Sequence, residues 1–278
     1  MRLSLYALVL GLCCASTSHA QLVAGNDQTT NPAIWLIDVT GANPNRALVT
    51  GTNATTWGLA VNDPGQTIWW NNGVTLFKAA YGPAALTPVL VGSTTVGGSS
   101  ANVTGMAFNT SSGKLYGYRS VTLPGFYEID QTTAVMTLVN ATPASTDFGG
   151  FEYDPVTSAF YVTNDGTGLQ GRGLYRVDNL TSAPTYTLLA AYPAGDTDVD
   201  GLAVGNGRAF MVNDNSTAGQ GIYVFNLTTN TYETPLANPF SATNGIFAGG
   251  GWAPGLIPEP TTLSLLCVGA IGLVRRRR

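Results

Sequence analysis

Five glycines, each opening a short apolar segment, constrain the fold of this chain more than any other feature. They are Gly58-Leu-Ala-Val, Gly105-Met-Ala-Phe, Gly150-Phe-Glu-Tyr, Gly201-Leu-Ala-Val and Gly245-Ile-Phe-Ala, separated by 47, 45, 51 and 44 residues. After the first four comes a turn sequence, NDPGQ, NTSSGK, DPVTSA or GNGR, then an aromatic or β-branched run, TIWW, LYGY, FYVT or AFMV. Gly, Asn, Asp and Pro between two apolar runs read as strand, tight turn, strand. A third strand recurs more strictly still: Gly125-FYEI-Asp130, Gly173-LYRV-Asp178 and Gly221-IYVF-Asn226 lie 48 residues apart, and Ala33-IWLI-Asp38 fits the same template. The copy around Phe77, TLFKA, is degenerate. A fourth, weaker strand follows each: RALVTG, TPVLVG, AVMTLVN, PTYTLLAAY and TYETPLA.

Four short strands in a period near 45 residues are expected of a β-propeller, whose blades cover one another's apolar faces. The body begins with third- and fourth-type strands and ends with a first-type strand at Gly245 to Ala248. Circular closure follows: four continuous blades, and a fifth shared between the chain ends, which removes exposed sheet edges. A β-sandwich or β-solenoid is the competing all-β reading, but neither requires the first- and third-strand patterns to alternate in a fixed order. No helix-period stretch lies outside the termini.

The N-terminus reads as a secretory signal peptide over residues 1–20. Arg2 supplies the basic region, Leu3 to Leu12 the apolar region, and Ser18-His19-Ala20 a small-x-small site with cleavage between Ala20 and Gln21. A membrane anchor would need about 20 apolar residues. A lipoprotein reading of Cys13 meets Leu12 where a small residue belongs. Cleavage removes Cys13, Cys14 and His19, the only histidine, and the third cysteine, Cys267, lies near the C-terminus. The body, 21–256, therefore has no thiol nucleophile, disulfide, Ser-His-Asp triad or Cys/His zinc site.

Arg2 and Arg275 to Arg278 carry five of the twelve basic residues, leaving seven against fifteen acidic ones in the body. That excess of negative charge argues against nucleic-acid binding. The charged fraction is only 10 %, so neutral Asn, Thr, Ser and Gly solvate the surface.

The last segment, 257–278, is unlike the rest. Pro258, Glu259 and Pro260 precede an apolar run from Leu263 to Val274 and then Arg275, Arg276, Arg277 and Arg278. This order and spacing resembles the PEP-CTERM protein-sorting signal. The resemblance implies recognition by an exosortase, a membrane cysteine protease, in Gram-negative bacteria that make extracellular polysaccharide. Residues 261–274 would form a short transmembrane helix of about 21 Å at 1.5 Å per residue, against about 30 Å of hydrocarbon. The arginines would stay cytoplasmic with the body outside the inner membrane. A removable address and a permanent anchor are both consistent with this geometry. The expected route is signal peptidase, transient anchoring, then the outer surface or the extracellular space.

Candidate chemistry in the body is sparse. Asp196, Asp198 and Asp200 before Gly201 have the Asp-x-Asp-x-Asp-Gly spacing of a calcium loop, although the twelfth position, where a bidentate Glu belongs, is Gly207. A solvated acidic loop between blades is the other reading. Asn71-Asn72, Asn164-Asp165 and Asn213-Asp214 each follow a second strand, so a propeller would place them on one face as a polar rim for sugars, or as turn formers. Seven Asn-x-Ser/Thr triplets reflect composition. Glu128, Glu152, Asp154 and Glu233 are the carboxylates that a glycosidase reading would use, and such a pair must sit roughly 5 to 9 Å apart. No other cofactor is implied. The expectation is an exported, exosortase-sorted envelope or extracellular-matrix protein, a non-enzymatic binding or structural propeller with polysaccharide as ligand class. The alternative is a carboxylate-dependent glycan hydrolase or lyase on the same fold.

Overall fold

The computed structural model describes residues 21–27, 32–41, 44–80, 85–213, 221–237, 239–240 and 247–256. The expected signal peptide up to Ala20, Asp214, and the tail with its apolar run and arginines lie outside the described residues.

The strands form five four-stranded antiparallel sheets arranged as the blades of a propeller. The chain starts with β1 (Gln21–Asn26), β2 (Ala33–Asp38) and β3 (Arg46–Thr50). Blade two is β4 (Gly58–Asn62), β5 (Thr67–Asn71), β6 (Thr75–Ala80) and β7 (Val89–Ser93). A small hairpin, β8 (Thr95–Val96) and β9 (Ser99–Ser100), leads to blade three: β10 (Gly105–Asn109), β11 (Lys114–Arg119), β12 (Gly125–Ile129) and β13 (Met136–Ala141). Blade four is β14 (Phe148–Asp154), β15 (Ala159–Asn164), β16 (Gly173–Asp178) and β17 (Thr185–Ala191). Blade five is β18 (Gly201–Gly205), β19 (Arg208–Val212), β20 (Tyr223–Asn226) and β21 (Thr231–Tyr232). Finally β22 (Ala248–Trp252) returns to pair with β1, and blade one is ordered β22-β1-β2-β3.

Closure is therefore circular, with two differences from the sequence reading. The innermost strand of blade one is Ala248–Trp252 and not the segment opened by Gly245, which lies outside the described residues. The second strand is Gln21–Asn26, paired so that Leu22 faces Trp252 and Asn26 faces Ala248. All five sheets and the closing pairing of the described residues fall within 21–256.

Glycines sit where the innermost strands converge on the axis. A Cβ on Gly58 would lie 3.1 Å from the carbonyl carbon of Gly105, and one on Gly105 would lie 2.2 Å from the carbonyl oxygen of Gly149. Continuing round, Gly149 meets Asp200 Cα at 2.6 Å, Gly201 meets the Gly249 carbonyl carbon at 3.1 Å, and Gly249 meets Leu59 N at 3.0 Å. This collar packs backbone on backbone, which only residues without Cβ permit.

Between blades the filling is side chain. Five apolar clusters each join two neighbouring blades; one holds Tyr118, Phe126, Phe148, Phe151, Phe160 and Tyr175 between blades three and four. The third-strand tyrosines Tyr127 and Tyr175 are fully buried, and their hydroxyls donate to Leu123 O at 2.9 Å and Gly171 O at 2.7 Å. The Asp or Asn ending the third strand holds the next turn in blades three and five, while Asp178 of blade four pairs with Arg176. Asp130 Oδ1 accepts from Thr132 N at 2.9 Å and Thr133 N at 2.8 Å, and Asn226 Oδ1 accepts from Thr228 N at 2.9 Å. These bonds, to Thr132 first, hold the Asp130 carboxyl well below the usual carboxylate range. The repeat motifs thus encode turn chemistry and interblade burial.

Candidate functional site

Because every blade runs in the same sense, the loops fall on two faces. On the upper face the innermost strands begin and the second strands end; on the lower face the innermost strands end. Each face carries one carboxylate feature near the axis.

On the upper face, Asp165 follows β15 of blade four, while Asp198 and Asp200 precede β18 of blade five. These three offer oxygens that all lie within 4.8 Å of one another. Val199 N donates to Asp165 Oδ1 at 3.1 Å, so backbone from one blade reaches the side chain of the other. Asp147, just before β14, adds a fourth acid. Its N–H is held by Asn164 Oδ1 at 3.0 Å, and its carbonyl accepts from Asp165 N at 2.8 Å. Burial pushes Asp165 well above the usual carboxylate range, and the charges of Asp198 and Asp147 push it the same way. Asp147 is raised by burial and by Asp198, and Asp198 by burial and by Asp196. Beside them Tyr192 is 7 % exposed, and burial followed by the charge of Asp165 pushes its phenol well above 10.

Asp196 stands apart from this group. A short 3₁₀ turn over Pro193–Gly195 ends on it, and its Oδ1 accepts from Thr197 N at 2.7 Å and Asp198 N at 3.2 Å. Its Oδ2 takes the Tyr223 hydroxyl at 2.8 Å and the Asn213 amide, bracing blade five internally. The carboxylates that converge are thus Asp165, Asp198 and Asp200, and not the contiguous trio read from the calcium-like spacing.

The Asn pairs lie on this upper face, at the ends of β5, β15 and β19. Asn71, Asn164 and Asn213 are fully buried, however, so they do not offer an open rim. Asn71 Oδ1 accepts from Gly73 N at 2.7 Å, and Asn72 Oδ1 from Thr75 N at 3.0 Å. Asn164 Nδ2 donates to Gly171 O at 2.8 Å and Gly166 O at 3.1 Å. Loop backbone takes up the amide oxygens of Asn71 and Asn72 and the amide N–H of Asn164, while the Asn213 amide goes to Asp196, which leaves Asp165 as the pair member that turns toward other acids.

On the lower face, Glu152 of β14 lies at the end of the axis, 3 % exposed, at a cleft of about 300 Å³ that Phe108, Asp154, Trp252 and Pro254 also line. Its Oε1 accepts from Tyr153 N at 3.1 Å and its Oε2 from Trp252 N at 3.1 Å. The second bond crosses the axis from blade four to blade one. Burial pushes its carboxyl well above 4.5 against the pull of the two N–H donors, while Asp154 adds to the rise. Asp154 itself accepts from Val156 N at 3.1 Å and from the Thr157 hydroxyl at 2.7 Å. The other two acids are peripheral: Glu128 pairs with Lys114 at 2.7 Å, and Glu233 accepts from Arg208 at 2.7 Å and Asn226 at 2.7 Å.

A second cleft, about 400 Å³, opens between blades five and one on the lower side. Thr40, Asn206, Arg208 and Glu233 give it polar walls over Phe210 and Leu236. Sequence reading had no means to find it, since its walls come from residues about 170 positions apart, in blades that adjoin only through ring closure.

The class of protein is a five-bladed β-propeller. The chain is similar to a chain in the crystal structure of a nidogen/laminin complex, with a TM-score of 0.59 at 10 % identity over 86 % of this chain and 100 % of that one. It is also similar to a structural-genomics protein of unknown function from Bacteroides thetaiotaomicron VPI-5482, with a TM-score of 0.51 at 14 % identity over 84 % of this chain and 64 % of that one. At such identities the likeness is one of fold alone. No curated protein matches the chain in sequence. Residues 256–278 match the PEP-CTERM protein-sorting motif. The chain is accordingly an exported, exosortase-sorted protein with a propeller body, sorted through membrane anchoring in Gram-negative bacteria.

Proposed function

We propose that the sorted body acts outside the inner membrane as a non-enzymatic binding or structural propeller, with extracellular polysaccharide as its ligand class. The observation that supports this reading is the commitment of each carboxylate considered for glycan cleavage. Glu152 is buried on two backbone N–H groups, Asp154 holds its own turn, Glu128 is paired with Lys114, and Glu233 is held by Arg208 and Asn226. Glycoside hydrolysis needs two carboxyl groups flanking a reachable bond; Glu128 and Glu233 are held in ion pairs, and Glu152 and Asp154, which line one cleft, are each engaged by backbone N–H groups. The cleft between blades five and one combines neutral hydroxyl and amide groups with one ion pair above an apolar floor, a lining suited to a sugar ring. Its ligand would be met outside the cell, where the chain's neutral polar surface also fits.

The test is a glycan array together with a hydrolysis and lyase screen on purified residues 21–256. Binding without turnover, weakened by Arg208→Ala, is the expected result. Turnover of any glycan overturns the reading, and silence across the array removes polysaccharide as the ligand class and leaves a structural role.

A further inference from the structure

We propose that Arg119 and the β11–β12 loop of blade three form a binding site for a small apolar carboxylic acid on the upper face. Arg119 ends β11 and is 9 % exposed. Its Nε has no hydrogen-bond partner, and no ion pair among the described residues involves it. Three other arginines are engaged: Arg172 donates to Asp165 O at 2.6 Å, Arg176 to Asp178 Oδ1 at 3.0 Å and Arg208 to Glu233 Oε2 at 2.7 Å. A guanidinium stays charged in any protein setting, and a buried charge without a counter-charge is costly. An anion supplied from outside removes that cost, and the planar fork of arginine matches the two oxygens of a carboxylate.

The surroundings of Arg119 define the rest of the ligand. β11 pairs with β12 so that Arg119 stands opposite Gly125, on the sheet face that carries Leu115, Tyr127 and Ile129 toward blade two. Gly125 contributes no side chain there, and Leu138 Cδ1 lies 2.9 Å from the position its Cβ would take. Leu138 is exposed, and so are Val121 and Leu123 in the loop that joins the two strands. The Tyr127 hydroxyl, donating to Leu123 O at 2.9 Å, ties that loop to the same sheet face. Thr122 and Leu123 have φ of +48° and +68°, a left-handed pair adopted without the glycine or asparagine that usually occupies such positions. The loop therefore holds strain while it displays two apolar side chains within four residues of a buried cation.

Exposed apolar groups around one unpaired positive charge fit an anion with an apolar body. Seven basic residues against fifteen acidic ones in the protein's body disfavour a polyanion, so the site takes one carboxylate per ligand. This goes beyond polysaccharide binding, and it places a second ligand class on blade three, away from the cleft between blades five and one.

The experiment is calorimetric titration of the full chain with sodium hexanoate, sodium acetate, sodium sulfate and hexanol, paired with thermal unfolding. Hexanoate is expected to bind about tenfold more tightly than acetate through its added methylenes, and sulfate and hexanol to give no saturable heat. Arg119→Met should weaken hexanoate by about tenfold or more at an unchanged or raised Tm, because an apolar side chain of similar length replaces an unpaired charge. Absence of saturable hexanoate heat, or equal binding by Arg119→Met, overturns the site. Sulfate or hexanol binding as tightly as hexanoate overturns its selectivity for an apolar carboxylate. A fall in Tm of more than about 5 °C in Arg119→Met overturns the reading of Arg119 as unpaired. If that variant fails to fold, the ranking of hexanoate, acetate and hexanol on the unaltered protein decides the site.

Discussion

Replacing Gly105 by alanine tests the idea that a collar of glycine backbone closes the propeller axis. The new Cβ would lie 2.2 Å from the carbonyl oxygen of Gly149 and 3.1 Å from Phe151 Cβ. Ordinary contact with a carbonyl oxygen is more than 1 Å longer, and the obstacle is backbone that cannot swing aside as a side chain would. Blades three and four must move apart, and in a closed ring that displacement passes to the other interblade contacts. Overpacking costs about 1 to 3 kcal/mol, and the backbone contact puts this site at the upper end. Loss of glycine freedom in the unfolded chain returns about 0.4 to 1 kcal/mol, leaving a net cost of about 2 to 2.6 kcal/mol. For a body of this size that lowers Tm by about 4 to 10 °C, measurable by calorimetry or circular dichroism. The control is Gly113→Ala, where φ is +70° and nothing lies within 4 Å of the added Cβ. Its cost is only the left-handed backbone penalty of about 1 to 2 kcal/mol, less the same entropy term. If Gly105→Ala melts no lower than Gly113→Ala, crowding at the axis does not account for the glycine at that position.

Two further predictions concern the same axis. The folded pKa of Glu152 is raised above 4.5 by burial, so this group's contribution to stability is greatest below about pH 4.5 and declines as pH rises, until the folded carboxyl also ionises. Urea unfolding of Glu152→Gln between pH 4.5 and 7.5 should show a shallower decline than wild type, and parallel curves would contradict the assignment of a raised pKa. Deleting residues 248–278 leaves β1 as an open edge, and size exclusion should show aggregation or loss of cooperative melting, whereas a chain ending at Leu256 should remain monomeric and cooperative.

The blade repeat was legible because its signals are local. Turn formers, alternating apolar runs and a period of 44 to 51 residues report on strands that pair with their sequence neighbours. The closing blade was harder. Gln21–Asn26 directly follows the segment read as a signal peptide and has no repeat partner upstream, and Ala248–Trp252 contains three consecutive glycines that look like a turn. At the axis, however, Gly251 would place a Cβ 2.5 Å from Val61 and Gly250 one 2.9 Å from the Leu202 backbone. What reads as a weak strand is the sequence that the ring centre requires. The acidic group shows the same division. Asp165 and Asp198 both stood out by local pattern, but their meeting depends on the approach of blade four to blade five, as does the burial of Tyr192. No spacing rule within one loop conveys that, and it is also why Asp196, with the right spacing, turns away to Asn213 and Tyr223.

The positions of the chain ends relate the fold to sorting. Gln21 begins β1 on the lower face, where its carbonyl accepts from Ala253 N at 3.0 Å. Gly255 N then donates to Asp63 Oδ1 at 2.8 Å, and Leu256 is buried between blades one and two. Both ends of the body therefore leave from one face, adjacent to each other, with Pro258 only two residues beyond Leu256. Gln21 and Leu256, which border the two segments read as processing signals, thus lie on the lower face, opposite Asp165, Asp198 and Asp200. In blade one β22 follows every other strand in the chain, so the edge of β1 is covered only when the last strand of the body is in place, and the ring has no closed form without it.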